Sequence, residues 1–298
     1  MKKFLSLLLA SLLLCLTLSI TACNKIQQSL DNANPSRVEY QKVSIDKTQT
    51  LYGALALVND THEYQFPEQA NKNLTSISEY RIAHSGSEKL PYKISLNTLT
   101  ADSAAIEAVH AWLTDFNKAT GKSDTIITSA YRTYEEQAIF SIPQGKSDHH
   151  TGFGVTLKIY DGQITSDITQ DATYYDWLSA NAYKYGLIVR YPEDKSEITG
   201  ISDYTNYFHY VGYAPAAYMQ ANNLCLEEFV DAIKAYSVEK PLEVTDANGL
   251  DWLVYYAACP GDMATIDLPS NFTYTVSGDN EGGVIVCVSL SKSAAQGQ

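Results

Sequence analysis

The chain has 298 residues, 45% hydrophobic and 18% charged, enough apolar material for one large domain or two smaller ones and too much for intrinsic disorder. The formal net charge is −13; without Lys2 and Lys3, which lie in a segment read below as removable, 19 basic residues face 34 acidic ones, a balance of −15. A chain of that sign lacks the basic footprint that nucleic-acid phosphates or anionic lipid headgroups require.

Residues 1–23 begin Lys2-Lys3, continue as an apolar run from Phe4 to Ile20, and end Thr21-Ala22-Cys23. A positive start, a hydrophobic middle and small residues at the end make a secretory signal. The ending resembles a bacterial lipobox, which implies a lipid on Cys23 and an extracytoplasmic protein anchored to the bacterial cell membrane. The competing reading is a transmembrane anchor, for which the run is at the lower limit of length. Residues 24–48 are polar and aperiodic, as a flexible tether would be. Beyond Cys15 and Cys23 only Cys225, Cys259 and Cys287 remain, with no C-x-x-C pair. That pattern excludes a zinc ribbon and leaves buried thiols, or one disulfide, as the readings.

Leu55 to Asn59 reads as a short buried strand. Ile106, Val109, Leu113 and Phe116 recur at helical spacing in Ser103 to Thr120, with Gly121 as the C-cap. Thr125 to Tyr131 reads as a strand, Tyr134 to Phe140 as a short helix, and Ala172 to Tyr185 as a helix closed by Gly186. Strands follow at Leu187 to Tyr191 and Phe208 to Gly212, and helices at Ala214 to Asn222 and Leu226 to Tyr236. After Pro241 three β-rich runs, near 253–256, 272–276 and 284–288, suggest a small appendage. The expected organisation is a signal at 1–23, a tether at 24–48, a main domain at 49–236 and a β-rich module at 237–298. The 22 tyrosines could line a glycan or peptide groove or, as more often, sit half-buried in strands. No Gly-x-Ser-x-Gly nucleophile motif occurs.

Three segments carry the chemistry: Ser129 to Gln137, Ser147 to Thr156, and Asn181 to Pro192 continuing through Ile198-Thr199-Gly200 to Tyr210-Val211-Gly212. In order and spacing they resemble the VanY-like zinc D-alanyl-D-alanine carboxypeptidases of the bacterial cell wall, over about Leu51 to Tyr236. The resemblance implies an α+β fold, a small antiparallel sheet with helices around it. It also implies a zinc held by two His and one Asp, a glutamate base and an arginine on the substrate side. Such a zinc keeps one position for water, lowers the water's pKa and polarises the scissile carbonyl.

Carried over residue by residue, the first ligand falls on His149 and the substrate arginine on Arg132, with Tyr131, Gln137 and Ser147 around it. The aspartate ligand falls on Thr156, the second histidine on Tyr207, the base on Tyr204, and an arginine usual two residues after that histidine on His209. A neutral hydroxyl, a phenol and one imidazole do not make a zinc site, and a phenol with a pKa near ~10 does not replace a carboxylate base at neutral pH. The expectation is therefore a degenerate member without a cofactor, binding peptidoglycan stem peptides or a cell-wall protein, with no nucleic-acid partner and with the membrane reached through the lipid anchor. The alternative is an active zinc enzyme with a rearranged site drawn from His149, His150, His209, Asp148, Asp161 and Asp203. Arg132 has two readings as well: a ligand-binding cation, or a structural one paired with Glu135 or Glu136.

Overall fold

The computed structural model of the chain describes residues 37–86 and 90–291. The signal segment, Cys23 and the first part of the tether lie outside those residues. In chain order the first elements are β1 (Tyr40–Asp46), β2 (Leu74–Ser76), α1 (Ile77–His84), β3 (Lys93–Ile94), β4 (Thr100–Asp102), α2 (Ser103–Thr120) and β5 (Thr125–Ser129). Then come α3 (Tyr134–Gln137), β6 (Gly154–Tyr160), β7 (Thr165–Asp167), α4 (Ala172–Asn181), β8 (Leu187–Val189), α5 (Ser196–Thr199), β9 (Tyr207–Tyr210), α6 (Tyr213–Asn222) and α7 (Leu226–Ile233). Five strands end the chain: β10 (Leu242–Thr245), β11 (Asp251–Ala258), β12 (Met263–Pro269), β13 (Tyr274–Gly278) and β14 (Gly283–Ser289).

The main sheet runs β3-β5-β6-β9-β8, with β7 added on β6. All its pairings are antiparallel except β3 with β5. Helix α2 closes one side, and its apolar stripe of Val109, Trp112, Leu113 and Phe116 joins Ile127, Val155, Leu157 and Phe208 in the first core. Its ends are set locally: Asp102 accepts the Ala104 N–H at 2.9 Å, and Gly121 takes φ 75°, where a side chain would be strained. The sheet with surrounding helices is the fold class expected from the sequence.

Two expectations are corrected. Leu55 to Val58 are buried as predicted but form no strand, because their N–H groups go to Ser277 Oγ, Gly53 O and Asp279 O rather than to a ladder. The tether stops short of residue 48, since Tyr40–Asp46 is a strand paired with β12. The C-terminal strands form a sheet ordered β10-β11-β14-β13. Its Val254, Ile285 and Cys287 share a second core with Leu55, Val211, Met219, Phe229 and Ile233. The change of composition after Pro241 thus marks a new sheet that is packed against α6 and α7, and residues from Gln41 onward form one compact unit. Cys225, Cys259 and Cys287 are buried free thiols. Among the described residues no helix is long and apolar enough to cross a membrane.

Candidate functional site

The site is built on two neighbouring strands and one turn. Register pairs Gly154 with His209 and Thr156 with Tyr207, and the period of two puts these four on one face while Val155 and Phe208 enter the core. The 3-10 turn Asp148–Thr151 brings His149 to the same place, and Gly152 ends it at φ 80°. So the structure gathers His149, Thr156, Tyr204 and Tyr207, as the sequence predicts.

His149 is fully buried and neutral. Its Nδ1–H donates to Ala130 O at 2.5 Å, which leaves the Nε2 lone pair pointing into the site. That lone pair faces Tyr204 Oη at 3.0 Å and Thr156 Oγ1 at 3.3 Å, and those two hydroxyls bond each other at 3.0 Å. Burial, then the nearby Arg132 cation, push the His149 pKa down to about 3. A group so hard to protonate is a poor general base at neutral pH, so His149 and Thr156 do not make a nucleophilic pair.

Tyr207 passes the imidazole and goes elsewhere. Its ring centroid lies 4.5 Å from that of His149, while its hydroxyl donates to Asp148 Oδ2 at 2.9 Å. Burial, and then the Asp148 charge, raise the phenol's pKa well above its ordinary value, so no phenolate is on offer. The ring is stacked on Tyr204 at 5.4 Å and 5°, and on Tyr191 at 5.8 Å.

Asp148, itself buried, is the centre of a second network. His209 Nδ1 donates to Oδ2 at 2.5 Å and Arg190 Nε to Oδ1 at 3.1 Å. Arg190 then grips Glu227 with both Nη atoms, at 2.9 and 2.7 Å. Burial pushes the Asp148 pKa up, but His209, Arg190 and Tyr207 outweigh it and hold the carboxyl well below the usual range. His209 Nε2 lies 2.9 Å from Ala54 O. Asp148, Arg190 and Glu227 were not singled out as a unit from sequence; their partners are tens of residues apart, and no local pattern marks them.

Zinc does not fit these groups. A catalytic zinc takes three nitrogen, thiolate or carboxylate donors. The matching positions give one imidazole nitrogen already capped by two hydroxyls, a neutral Thr and a Tyr turned to another acid. The rearranged set does not converge either. His150 is buried with Nδ1–H on Arg132 O and Nε2 accepting from Gly145 N–H, so it faces away from His149. Asp161 binds its own turn at Gln163 and Ile164, and His209 is committed to Asp148. His150 and His209 are both buried and hydrogen-bonded. Among the described residues no three His, Cys, Asp or Glu side chains are grouped to hold a metal.

The residues that the resemblance puts on the substrate side are all present. Arg132 is 7% exposed; its Nε donates to Ser129 Oγ at 2.8 Å, its Nη1 to Gln137 Oε1 at 3.0 Å, and Phe140 covers its face at 3.6 Å from the ring centroid. The sequence offered Glu135 or Glu136 as its structural partner. Neither pairs with it: Glu136 caps the Thr133 N–H at 2.8 Å, and no carboxylate lies within ion-pair distance of Arg132 among the described residues. Ser147 Oγ is buried and without a partner among those residues. Tyr131 is half-buried beside them. Gln137 is corrected: it is fully buried, with its amide nitrogen on Ile142 O at 2.8 Å, so it positions Arg132 and has no free end for a ligand.

A two-strand frame thus carries a histidine with its Nε2 lone pair turned into the site, near an arginine without a carboxylate partner among the described residues. The family profile for VanY, D-alanyl-D-alanine carboxypeptidase, matches residues 130–213. A D-alanyl-D-alanine carboxypeptidase of Enterococcus faecium is 30% identical over 272 residues, 88% of this chain and 83% of that protein. One from Enterococcus faecalis is 36% identical over 107 residues, 36% of this chain and 38% of its own. Among solved structures, the vancomycin-resistance D,D-dipeptidase VanXYg, in complex with a D-Ala-D-Ala phosphinate analogue, superposes with TM-score 0.71 at 25% identity, covering 84% of this chain and 99% of that one. The chain belongs to the VanY-like D-alanyl-D-alanine carboxypeptidase family.

Proposed function

We propose that this chain is a non-hydrolysing member of its family, a lipoprotein held on the outer side of the cell membrane through Cys23, which binds D-Ala-D-Ala-terminated peptidoglycan stem peptides. The observation that carries this reading is the hydroxyl pair at the metal position: Tyr204 and Thr156 bond each other and face the Nε2 lone pair that a zinc would need, which accepts a proton from one of them. The base position is that same Tyr204, a phenol bonded to His149 Nε2 and Thr156 Oγ1 in place of a carboxylate that could take a proton from water.

Binding is supported by what remains. A nearly buried guanidinium without a carboxylate costs desolvation energy unless something anionic meets it. A peptide's terminal carboxylate would accept forked donors from Arg132 and a bond from Ser147 Oγ, with Tyr131 alongside.

The test is a pair of measurements on purified protein. Calorimetry with a stem pentapeptide ending in D-Ala-D-Ala should show binding, and chromatography of the same mixture should show no free D-alanine, with or without added zinc. Release of D-alanine that a chelator stops would replace this reading with the active enzyme using a rearranged metal site. Neither binding nor release would leave a cell-wall protein as the partner.

A further inference from the structure

We propose that a cavity of about 320 Å³ beside the second sheet is a separate ligand site, and that it takes a short, uncharged saccharide. It lies between residues 52–55, residues 69–73, residues 210–212 and the face of the β13–β14 pair that carries Thr275, Ser277, Ile285 and Cys287. None of Tyr131, Arg132, Gln137 or Ser147 lines it, so the proposal goes beyond the stem-peptide reading and does not rest on it. Its size is at the small end of ligand-binding cavities.

The lining selects the ligand. Four aromatic rings, Tyr52, Tyr64, Phe153 and Tyr210, contribute to the walls. At the rim stand the side chains of Gln69, Lys72 and Asn73, all exposed and with no partner of their own among the described residues. Asp102 adds a carboxylate whose Oδ1 caps helix α2 and whose Oδ2 is left over. One cation and one anion cancel, which disfavours a strongly charged ligand. Three tyrosines and a phenylalanine, set among amides and one carboxylate, suit a molecule with alternating C–H faces and hydroxyls.

An extended peptide fits less well. It would need the free edge of β13, and residues 52–55 already occupy that edge. The Gly278 N–H donates to Tyr52 O at 2.9 Å, and Ser277 Oγ accepts from Leu55 N–H at 2.8 Å. The hydrogen-bonding groups left at the rim are side-chain ends, as a polyol requires.

The probes are the β-1,4-linked disaccharide and tetrasaccharide of N-acetylglucosamine, titrated into the full soluble chain by calorimetry and by ligand-observed NMR. Saturable binding is expected. Tyr52→Ala should weaken it about tenfold and the exposed Asn73→Ala about threefold, each with an unchanged melting temperature. Arg132→Ala should leave sugar affinity as it was while reducing peptide affinity, which separates this site from the peptide site. No saturation by wild type up to about 10 mM would overturn the proposal. So would folded Tyr52→Ala and Asn73→Ala variants that bind the sugar like wild type, or displacement of the sugar by the stem peptide alone.

Discussion

Gly154 and Tyr207 should behave as one unit, and Gly154→Ala tests it. Gly154 has ordinary strand backbone, so what requires glycine here is space. An added Cβ would lie 2.9 Å from Tyr207 Cε2 and well inside contact with the ring's Cζ and Oη. The ring cannot move aside cheaply: it is fully buried and stacked against Tyr191 and Tyr204. Any shift also loosens its bond to the Asp148 carboxylate. Overpacking costs about 1–3 kcal/mol and a hydrogen bond to a charged group about 1.5–3 kcal/mol. Together these give a destabilisation of about 2.5–6 kcal/mol, read as the shift in urea midpoint at constant m-value. Tyr207→His, with its shorter ring, opens the space. In that background Gly154→Ala should cost less than about 1 kcal/mol, a coupling of at least about 1.5 kcal/mol. Equal costs in both backgrounds, within about 0.5 kcal/mol, would refute the idea that the two positions act as one unit.

That pairing explains what the sequence disclosed and what it hid. The motif frame listed His149, Thr156, Tyr204 and Tyr207 together because each block is continuous, and strand periodicity puts Thr156 and Tyr207 on one face. The same rule put His209 on the Tyr207 face. Helix α2 was legible from its apolar stripe and from Gly121, both local signals. Where Tyr207 points was not legible. A substituted ligand could have lain in the old metal position, and only the buried Asp148 acceptor, 59 residues back along the chain, draws it away. Burial of Leu55 to Val58 was readable from hydrophobicity, but the loop conformation was not, since it depends on Ser277 and Asp279 more than 200 residues later. Strands β1 to β4, β6, β7, β10 and β12 were missed for a related reason: mixed-polarity strands owe their existence to the partner they pair with.

Four further outcomes are expected. Cys23→Ala should release the protein from the membrane fraction or block its maturation; unchanged attachment would mean a retained membrane-spanning segment instead. Purified protein should hold well below one zinc per chain, and a chelator should leave its melting temperature unchanged; stoichiometric metal lost in His149→Ala would refute this. Arg132→Ala should weaken stem-peptide binding by about 1.5–3 kcal/mol, the range for a hydrogen bond to a charged group, and equal affinity in a folded variant would remove the groove from the account. The last concerns acid. His149 is buried neutral with its pKa pushed down to about 3, and burial also lowers those of His150 and His110. The unfolded chain protonates such groups near ~6.5, so between that value and the folded one it binds more protons than the native state. Their contribution to stability is therefore complete above ~6.5 and is lost as pH falls below it. For His149 alone the loss at pH ~5.5 is about 1 kcal/mol. Urea midpoints at the two ends of that interval should fall accordingly in wild type and less in His149→Gln, because the amide cannot take up the proton. An equal fall in both would show that His149 is not held neutral, and with it the capping of its lone pair by Tyr204 and Thr156 would fail.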